Sequence, residues 1–192
     1  MSSSISKISL GGKSYRLVRF RGDSDEAQNL VWAKDHRWLH PGNEEPQTMA
    51  EWFCIESGGD SAYLHRLVFQ KDTDVYGIIG KDKEPIGFFS LYKSSKEALL
   101  GAFYLKKSAR GKSVGKEMIL RAITIAQKSG FLKVRVPQMS EKGENAVLGA
   151  ARIAQQRKRA LAAQYAQHSE LGGPDAIIPL IKRIKQRRKR LI

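Results

Sequence analysis

Residues 98–136 constrain the fold most, because they read as a strand, an amphipathic helix and a second strand. Apolar residues recur at helical spacing over 113–128, and apolar and basic side chains alternate over 132–136. A strand–helix–strand unit within one sheet is right-handed, and its two strands are parallel. The sequence therefore predicts a parallel crossover whose helix ends at Gly130 in a left-handed conformation.

The region before this crossover reads as an antiparallel meander. Three strand candidates occur here, and short polar turns of hairpin type separate them. The first comprises residues 67–70 together with 75–79, the second residues 85–92 and the third residues 98–105. Together these patterns predict an α+β fold. Its mixed sheet has an antiparallel meander followed by a parallel βαβ crossover, with helices on both faces.

The flanking segments give weaker patterns. Residues 15–20 favour a short strand, and residues 24–53 are helical but irregular. Thr48 is a plausible N-cap of a helix over 49–55, with Glu51 completing a capping box. Downstream, a second long helix is predicted over 144–167. Residues 176–180 suit either a helix or a final strand.

Composition excludes several classes of protein. A single cysteine, Cys54, rules out an intramolecular disulfide and zinc sites that need two thiolates. Four histidines offer one helical pair, His36 and His40, with Pro41 directly after it, so no metal site is expected. No apolar run approaches the roughly 20 residues of a membrane helix. Residues 1–13 lack the pattern of a secretory signal, which predicts an intracellular, cytoplasmic protein.

The positive charge is concentrated near the C-terminus. The chain has 34 Lys and Arg against 19 Asp and Glu. Residues 1–151 hold 23 basic and 17 acidic side chains, whereas residues 152–192 hold 11 and 2. We therefore expect a domain over 1–170 and a basic tail over 171–192. Clustered cations favour a polyanionic partner, although a solvated basic tail would have the same composition.

Nucleic acid or a ribonucleoprotein is the simplest such partner, and the sequence does not distinguish DNA from RNA or fix the oligomeric state. A nuclear-import or membrane-surface role for 182–190 stays open. The candidate contact residues are all Lys or Arg: Arg157, Lys158, Arg159, Lys182, Arg183, Lys185, Arg187, Arg188, Lys189 and Arg190.

The segment 105–116, between the predicted strand and helix, carries the clearest binding signal. It contains Gly111 and Gly115, several cations and no acidic residue. A glycine-bearing loop that opens a helix presents free amides and the positive end of the helix dipole, and both favour a phosphate. The spacing is not that of a Walker loop, and the preceding meander does not fit a dinucleotide-binding fold.

This segment resembles the coenzyme A site of the GNAT N-acetyltransferase superfamily. The matching residues are Leu105, Arg110, Gly111, Val114 and Gly115. The resemblance implies an acyl-CoA-dependent N-acyltransferase that uses acetyl-CoA or another acyl-CoA. It places pantetheine along residues 103–105, pyrophosphate on the amides of 110–116, and the family's asparagine at Asn145. The implied cofactor-binding residues are Phe103, Leu105, Arg110, Gly111, Lys112, Ser113, Val114, Gly115, Lys116 and Asn145.

Several positions depart from that family. Ser113 replaces the middle glycine, and Lys107 stands where proline is common. Arg152 occupies the position of the family's tyrosine acid. The strand 98–105 holds no carboxylate, which leaves Tyr104 and Glu97 as weak catalytic candidates.

Two hypotheses follow from these matches and departures. One is an acyltransferase whose acceptor is a nucleic acid or a nucleic-acid-associated molecule. The other is a catalytically inactive GNAT-like nucleic-acid or ribonucleoprotein binder.

Overall fold

The computed structural model describes residues 5–32, 49–57, 61–111, 113–136, 141–157, 160, 163–167 and 174–181. The strands described form one eight-stranded sheet in the order β1-β2-β3-β4-β5-β6-β8-β7. The elements in chain order are β1 Ile5–Leu10, β2 Lys13–Arg21, α1 Asp25–Trp32, α2 Met49–Ser57, α3 Ser61–Val68, β3 Thr73–Ile79, β4 Pro85–Lys93, β5 Glu97–Leu105, α4 Val114–Lys128, β6 Lys133–Val136, α5 Glu141–Gln156, β7 Gln164–Gln167 and β8 Pro174–Pro179.

The predicted α+β fold class and its crossover are confirmed. Strands β2 to β5 form the antiparallel meander, and β5 pairs with β6 in parallel, with Glu97 opposite Lys133. Helix α4 makes the connection, and Gly130 follows it with φ +88°, as the sequence predicts. The apolar residues of α4 recur at helical spacing, so that in a helix they form one face that can be buried against the sheet.

Each face of the sheet carries its own apolar core. Helices α4 and α5 cover one face, here called the α4 face, where Met118 and Ile119 pack with Ile78. Helices α1 to α3 cover the other, the α1 face, where Leu64 packs with Phe88. Helices on both faces match the sequence prediction.

Residues 67–70 are not a strand, and this prediction was wrong. Leu67 and Val68 end helix α3, and the chain then turns into β3. Leu64 and Val68 lie one helical turn apart and are both fully buried on the α1 face. Burial of this helical face outweighs the β-propensity of a run of four residues.

The predicted helix over 144–167 was too long. Helix α5 ends at Gln156, and residues 164–167 form β7. Strand β7 exists by pairing with β8, with Tyr165 opposite Ala176. That partner is distant in sequence, so a local periodicity does not reveal it.

The strand reading of residues 176–180 is the right one of the two alternatives, since β8 pairs with β6. Strand β8 lies inside the segment 171–192 that the sequence assigns to a basic tail, so residues 174–179 of that segment belong to the sheet. The division of the chain into a domain and a tail stays a prediction. The basic run 182–190 and Thr48 lie outside the described residues.

Sequence analysis missed strand β1. It forms a hairpin with β2 through Gly11 and Gly12, whose φ values are +56° and +78°. Two consecutive positive φ values define the type I′ turn that glycine pairs favour. The Gly11 amide donates a 2.6 Å hydrogen bond to the Glu117 carboxylate, which fixes the hairpin to the first turn of α4.

Candidate acyl-CoA site

An open strand edge lies at the centre of the sheet. Strand β5 pairs with β6 over three positions, and the last pair is Leu99 with Arg135. Strand β5 then continues for six residues to Leu105 without a described partner on that side. Along this stretch no described strand supplies ladder hydrogen bonds on the β6 side, and it is called here the open edge of β5.

A bulge bends β5 where this open edge begins. The β4–β5 register shifts between Phe89 and Leu91, so that one residue of β4 faces two of β5, Gly101 and Ala102. The fully buried Ser90 is the residue on β4. Its hydroxyl accepts from the Ala102 amide at 2.9 Å and donates to the Leu67 carbonyl at 2.8 Å.

Gly101 permits α3 to lie against this bulge. A Cβ atom at this position would come within 2.8 Å of the Leu67 carbonyl oxygen. That approach is too close for any side chain, because the obstructing atom is backbone. Sequence analysis missed both Ser90 and Gly101. A serine inside an apolar strand and a glycine in its partner strand are signals of a bulge that could have identified them.

The loop from β5 to α4 brings the first-turn amides of α4 next to the end of β5. Gly111 has φ +95°, and Ser113, the residue before the helix, has φ +65°. The Val114 amide donates to the Gly111 carbonyl at 3.0 Å, and no side chain caps this end of the helix. The amides of Gly115 and Lys116 belong to the first turn, where a helix supplies no acceptor.

Space around the loop suits an anion. A Cβ atom at Gly111 would meet no atom within 4 Å, and one at Gly115 would meet its nearest neighbours at 3.9 Å. Glycine at 111 is therefore favoured by its positive φ and not by a lack of space. Lys112, also predicted to bind the cofactor, lies outside the described residues.

Arg110 folds back onto the end of β5. Its Nε atom donates to the Leu105 carbonyl at 2.8 Å, and its guanidinium carbon lies 5.4 Å from the centre of the Tyr104 ring. Phe103, the residue before Tyr104, is half-buried on the α4 face. The arginine therefore stabilises the turn that directs the chain from β5 into α4.

Helix α5 lies beside the first turn of α4. A Cβ atom at Gly149 would stand 2.9 Å from Cδ of Lys116, so the lysine stem crosses α5 at this glycine. Asn145 and Arg152 are exposed and lie one turn on either side of Gly149 along the same helix face. Asn145 therefore lies one turn along α5 from the point where this helix contacts Lys116 in the first turn of α4.

The two weak catalytic candidates lie far apart along β5. Tyr104 is 5% exposed and belongs to the core of the α1 face. Glu97 begins the strand and forms ion pairs with Lys133 and Arg135, both at 2.6 Å. Eight residues of extended chain place Glu97 roughly 27 Å from the Leu105 end.

Of the predicted nucleic-acid contacts, Arg157 is exposed just after α5, and the other nine lie outside the described residues. The described residues contain no group of three His, Cys, Asp or Glu side chains able to hold a metal ion. In the same part of the chain, no helix has the length and apolar character that crossing a membrane requires.

A parallel crossover, an open β5 edge and an uncapped glycine-bearing helix start together define the architecture of an acyl-CoA-binding transferase. Residues 31–148 match the model of the Acetyltransferase (GNAT) family. This match spans more than half of the chain, and the protein therefore belongs to the GNAT acetyltransferases, which are acyl-CoA-dependent enzymes. A search of curated proteins finds no match to the chain.

Solved structures also resemble the chain. A Bacillus subtilis acetyltransferase in complex with CoA is 14% identical, with a TM-score of 0.49 over 88% of this chain and 99% of that one. A cAMP-binding acyltransferase from Mycobacterium smegmatis is 14% identical, with a TM-score of 0.48 over 93% and 48%. A GNAT acetyltransferase from Elizabethkingia anophelis with acetyl-CoA bound is 11% identical, with a TM-score of 0.46 over 75% and 96%. The family assignment rests on residues 31–148, not on these likenesses.

Proposed function

We propose that this acetyltransferase holds the pyrophosphate of its acyl-CoA on the amides of residues 110–116 and the pantetheine arm along residues 103–105. The observation that carries the proposal is the uncapped start of α4, with Gly111 and Ser113 both at positive φ, directly beside the end of β5 that lies beyond its described pairing with β6. No acidic residue lies between 105 and 116, and a helix N-terminus attracts anions. Asn145 completes the set from α5.

When bound, the cofactor supplies an acyl group activated as a thioester. The protein's part is to hold that group in the gap between β5 and β6. Backbone N–H groups on the open edge of β5 would donate to the acyl carbonyl oxygen, where charge develops during attack. Ser90 stabilises this edge by holding Ala102 in the bulge. In the transfer, a neutral acceptor amine would form the new C–N bond as the thioester C–S bond breaks. The proton of the amine would pass to water, and the thiolate would leave as the CoA thiol.

The proposed acceptor is an amine on a nucleic acid or on a nucleic-acid-associated molecule inside the cell. The support is the charge distribution, since 11 basic and 2 acidic residues lie in 152–192. Arg152 and Arg157 are exposed at the end of α5 that follows the Asn145 turn. Membership of an acetyltransferase family favours the transferase over an inactive binder.

Isotope-labelled acetyl-CoA tests the reaction directly. The full chain is incubated with labelled acetyl-CoA and either total cellular RNA, DNA or a nucleic-acid-binding protein extract, and mass spectrometry then locates the label. We expect the label in one of these fractions. Hydrolysis of acetyl-CoA without label in any fraction contradicts the proposed acceptor and leaves the cofactor site unaffected.

A truncation tests the electrostatic part. Cutting after Ile181 preserves the sheet, because the Leu180 amide bonds to Leu132 at 2.7 Å and the Ile181 carbonyl accepts from Gln127 at 3.0 Å. Clustered cations bind nucleic acid by releasing counterions, so affinity falls steeply with salt. We expect the truncated chain to lose most of that salt dependence. Equal salt slopes in the two proteins contradict this role of the tail.

A further inference from the structure

A basic cavity lies at the outer part of the sheet, at the same end as the loop that follows β5. Its volume is about 320 Å³, and its lining includes Lys7 of β1, Arg16 of β2, and Lys81 and Lys83 of the β3–β4 turn. All four side chains are exposed. Four cations thus converge on one opening.

Two of these cations oppose each other directly across the β1–β2 hairpin. Lys7 is the register partner of Arg16, and Arg16 is the register partner of Ile79 on β3. Directly paired residues of antiparallel strands point to the same face, and like charges in such a pair repel. No described acidic side chain forms an ion pair with either residue. An anion in the cavity would remove this repulsion.

The β3–β4 turn also places a lysine where glycine is favoured. Lys83 donates its amide to the Gly80 carbonyl at 3.3 Å, and Gly80 donates to Glu84 at 2.8 Å. This is a three-residue hairpin loop whose last position is left-handed, and Lys83 occupies it with φ +69°. Backbone strain at a non-glycine residue is often found at functional sites. The neighbouring Asp82 accepts from the Glu84 amide at 3.3 Å and is not part of the lining.

The cavity is distinct from the acyl-CoA loop. Phe20 on β2 packs in the core of the α1 face, and Arg16 has the same strand parity, so Lys7 and Arg16 point to that face. Helix α4, which starts at the loop, covers the opposite face. Strand β4 separates β3 from β5, so these two strands are about 10 Å apart.

We propose that this cavity is a second anion site, which binds a phosphate group through Lys7, Arg16, Lys81 and Lys83. The phosphate belongs either to a small phosphorylated molecule or to a nucleic-acid backbone, and the chemistry of recognition is the same. The proposal does not depend on the acceptor or on cofactor binding.

The test measures binding of inorganic pyrophosphate, and separately of a 12-nucleotide single-stranded RNA, to the full chain in saturating CoA. One variant combines Lys81→Gln with Lys83→Gly, which removes two cations and relieves the strained turn. The matched control combines Lys96→Gln with Lys128→Gln, two exposed lysines at the other end of the sheet and of α4. Both variants lose the same charge. CoA binding is measured in all three proteins.

We expect the turn variant to bind pyrophosphate at least fivefold more weakly and the control to change less than twofold. Lys83→Gly alone should raise the melting temperature, because it relieves the strain of a left-handed lysine and removes one of the converging cations. If RNA binding by the turn variant weakens as much as pyrophosphate binding, and its salt dependence becomes less steep, the site binds a nucleic-acid backbone phosphate. If only pyrophosphate binding weakens, the site binds a small phosphorylated molecule. Equal losses in the two variants, or no binding once CoA is saturating, overturn the proposal. Failure of CoA to bind contradicts the acyl-CoA site instead.

Discussion

The hydroxyl of Ser90 accepts the backbone amide of Ala102 at 2.9 Å and thereby holds the bulge of β5 at the start of its open edge. The same hydroxyl donates to the Leu67 carbonyl, so that one side chain joins β4, β5 and α3. Because Ser90 is fully buried, water cannot replace either bond. The geometry of the proposed acyl-binding edge therefore depends on a residue of the neighbouring strand β4.

Ser90→Ala should destabilise the protein by about 1–3 kcal/mol, since it leaves a buried amide and a buried carbonyl without partners. Denaturant unfolding measures this change. Ser94→Ala, in the exposed β4–β5 turn, is the control and should change stability by less than about 0.5 kcal/mol. If the two alanine variants are equally stable, the two hydrogen bonds of the Ser90 hydroxyl, here called the Ser90 clamp, do not contribute to folding.

Ser113→Gly should stabilise the protein by roughly 0.5–1 kcal/mol, because Ser113 has φ +65° and a left-handed non-glycine residue is strained. Ser129, at the other end of α4, has φ −77° and is the matched control. Ser129→Gly relieves no strain and should lower stability. Acetyl-CoA affinity should persist in Ser113→Gly, as amides rather than the hydroxyl hold the phosphate. Loss of affinity would assign the hydroxyl a direct contact.

Tyr76 should resist ionisation in the folded protein. Burial raises the pKa of its phenol well above the usual value near 10, and the Asp74 carboxylate, 3.3 Å away, adds to the shift. A raised pKa means that the associated stability is fully present below pH 10 and is lost as the pH rises above it. Unfolding free energies between pH 8 and 11 measure the loss.

Tyr76→Phe removes this titration and keeps the stacking on Phe89, whose ring centre lies 4.8 Å from that of Tyr76. Stability should therefore fall less steeply above pH 10 in the variant than in the original protein. Parallel pH profiles would show that the phenol ionises as readily folded as unfolded.

The sequence predicted the centre of the fold because the signals there are local. The periodicity of α4, the alternation of β6 and the glycine at 130 each fix one element, and the crossover rule then makes β5 and β6 parallel. The loop at 110–116 could likewise be placed at the start of a helix before any coordinates were known. Its role as the pyrophosphate site stays a proposal.

The missed elements depend on contacts between distant residues. Strand β7 requires β8, and the shortness of α5 follows from that pairing. The Ser90 clamp joins residues 12 and 23 positions away, which no local pattern contains. Strand β1 is different, since the Gly11–Gly12 pair is a local hairpin signal that the sequence analysis did not use.

The most direct test of the central claim compares Gly111→Ala with Gly130→Ala in acetyl-CoA binding by titration calorimetry. Both glycines have positive φ, +95° and +88°, and an added Cβ meets no atom within 4 Å at either position. Both variants should lose a similar stability of about 1–2 kcal/mol without ligand. We predict that only Gly111→Ala weakens acetyl-CoA binding, by tenfold or more. Unchanged affinity in Gly111→Ala, or equal losses in both variants, would contradict a pyrophosphate site at the start of α4.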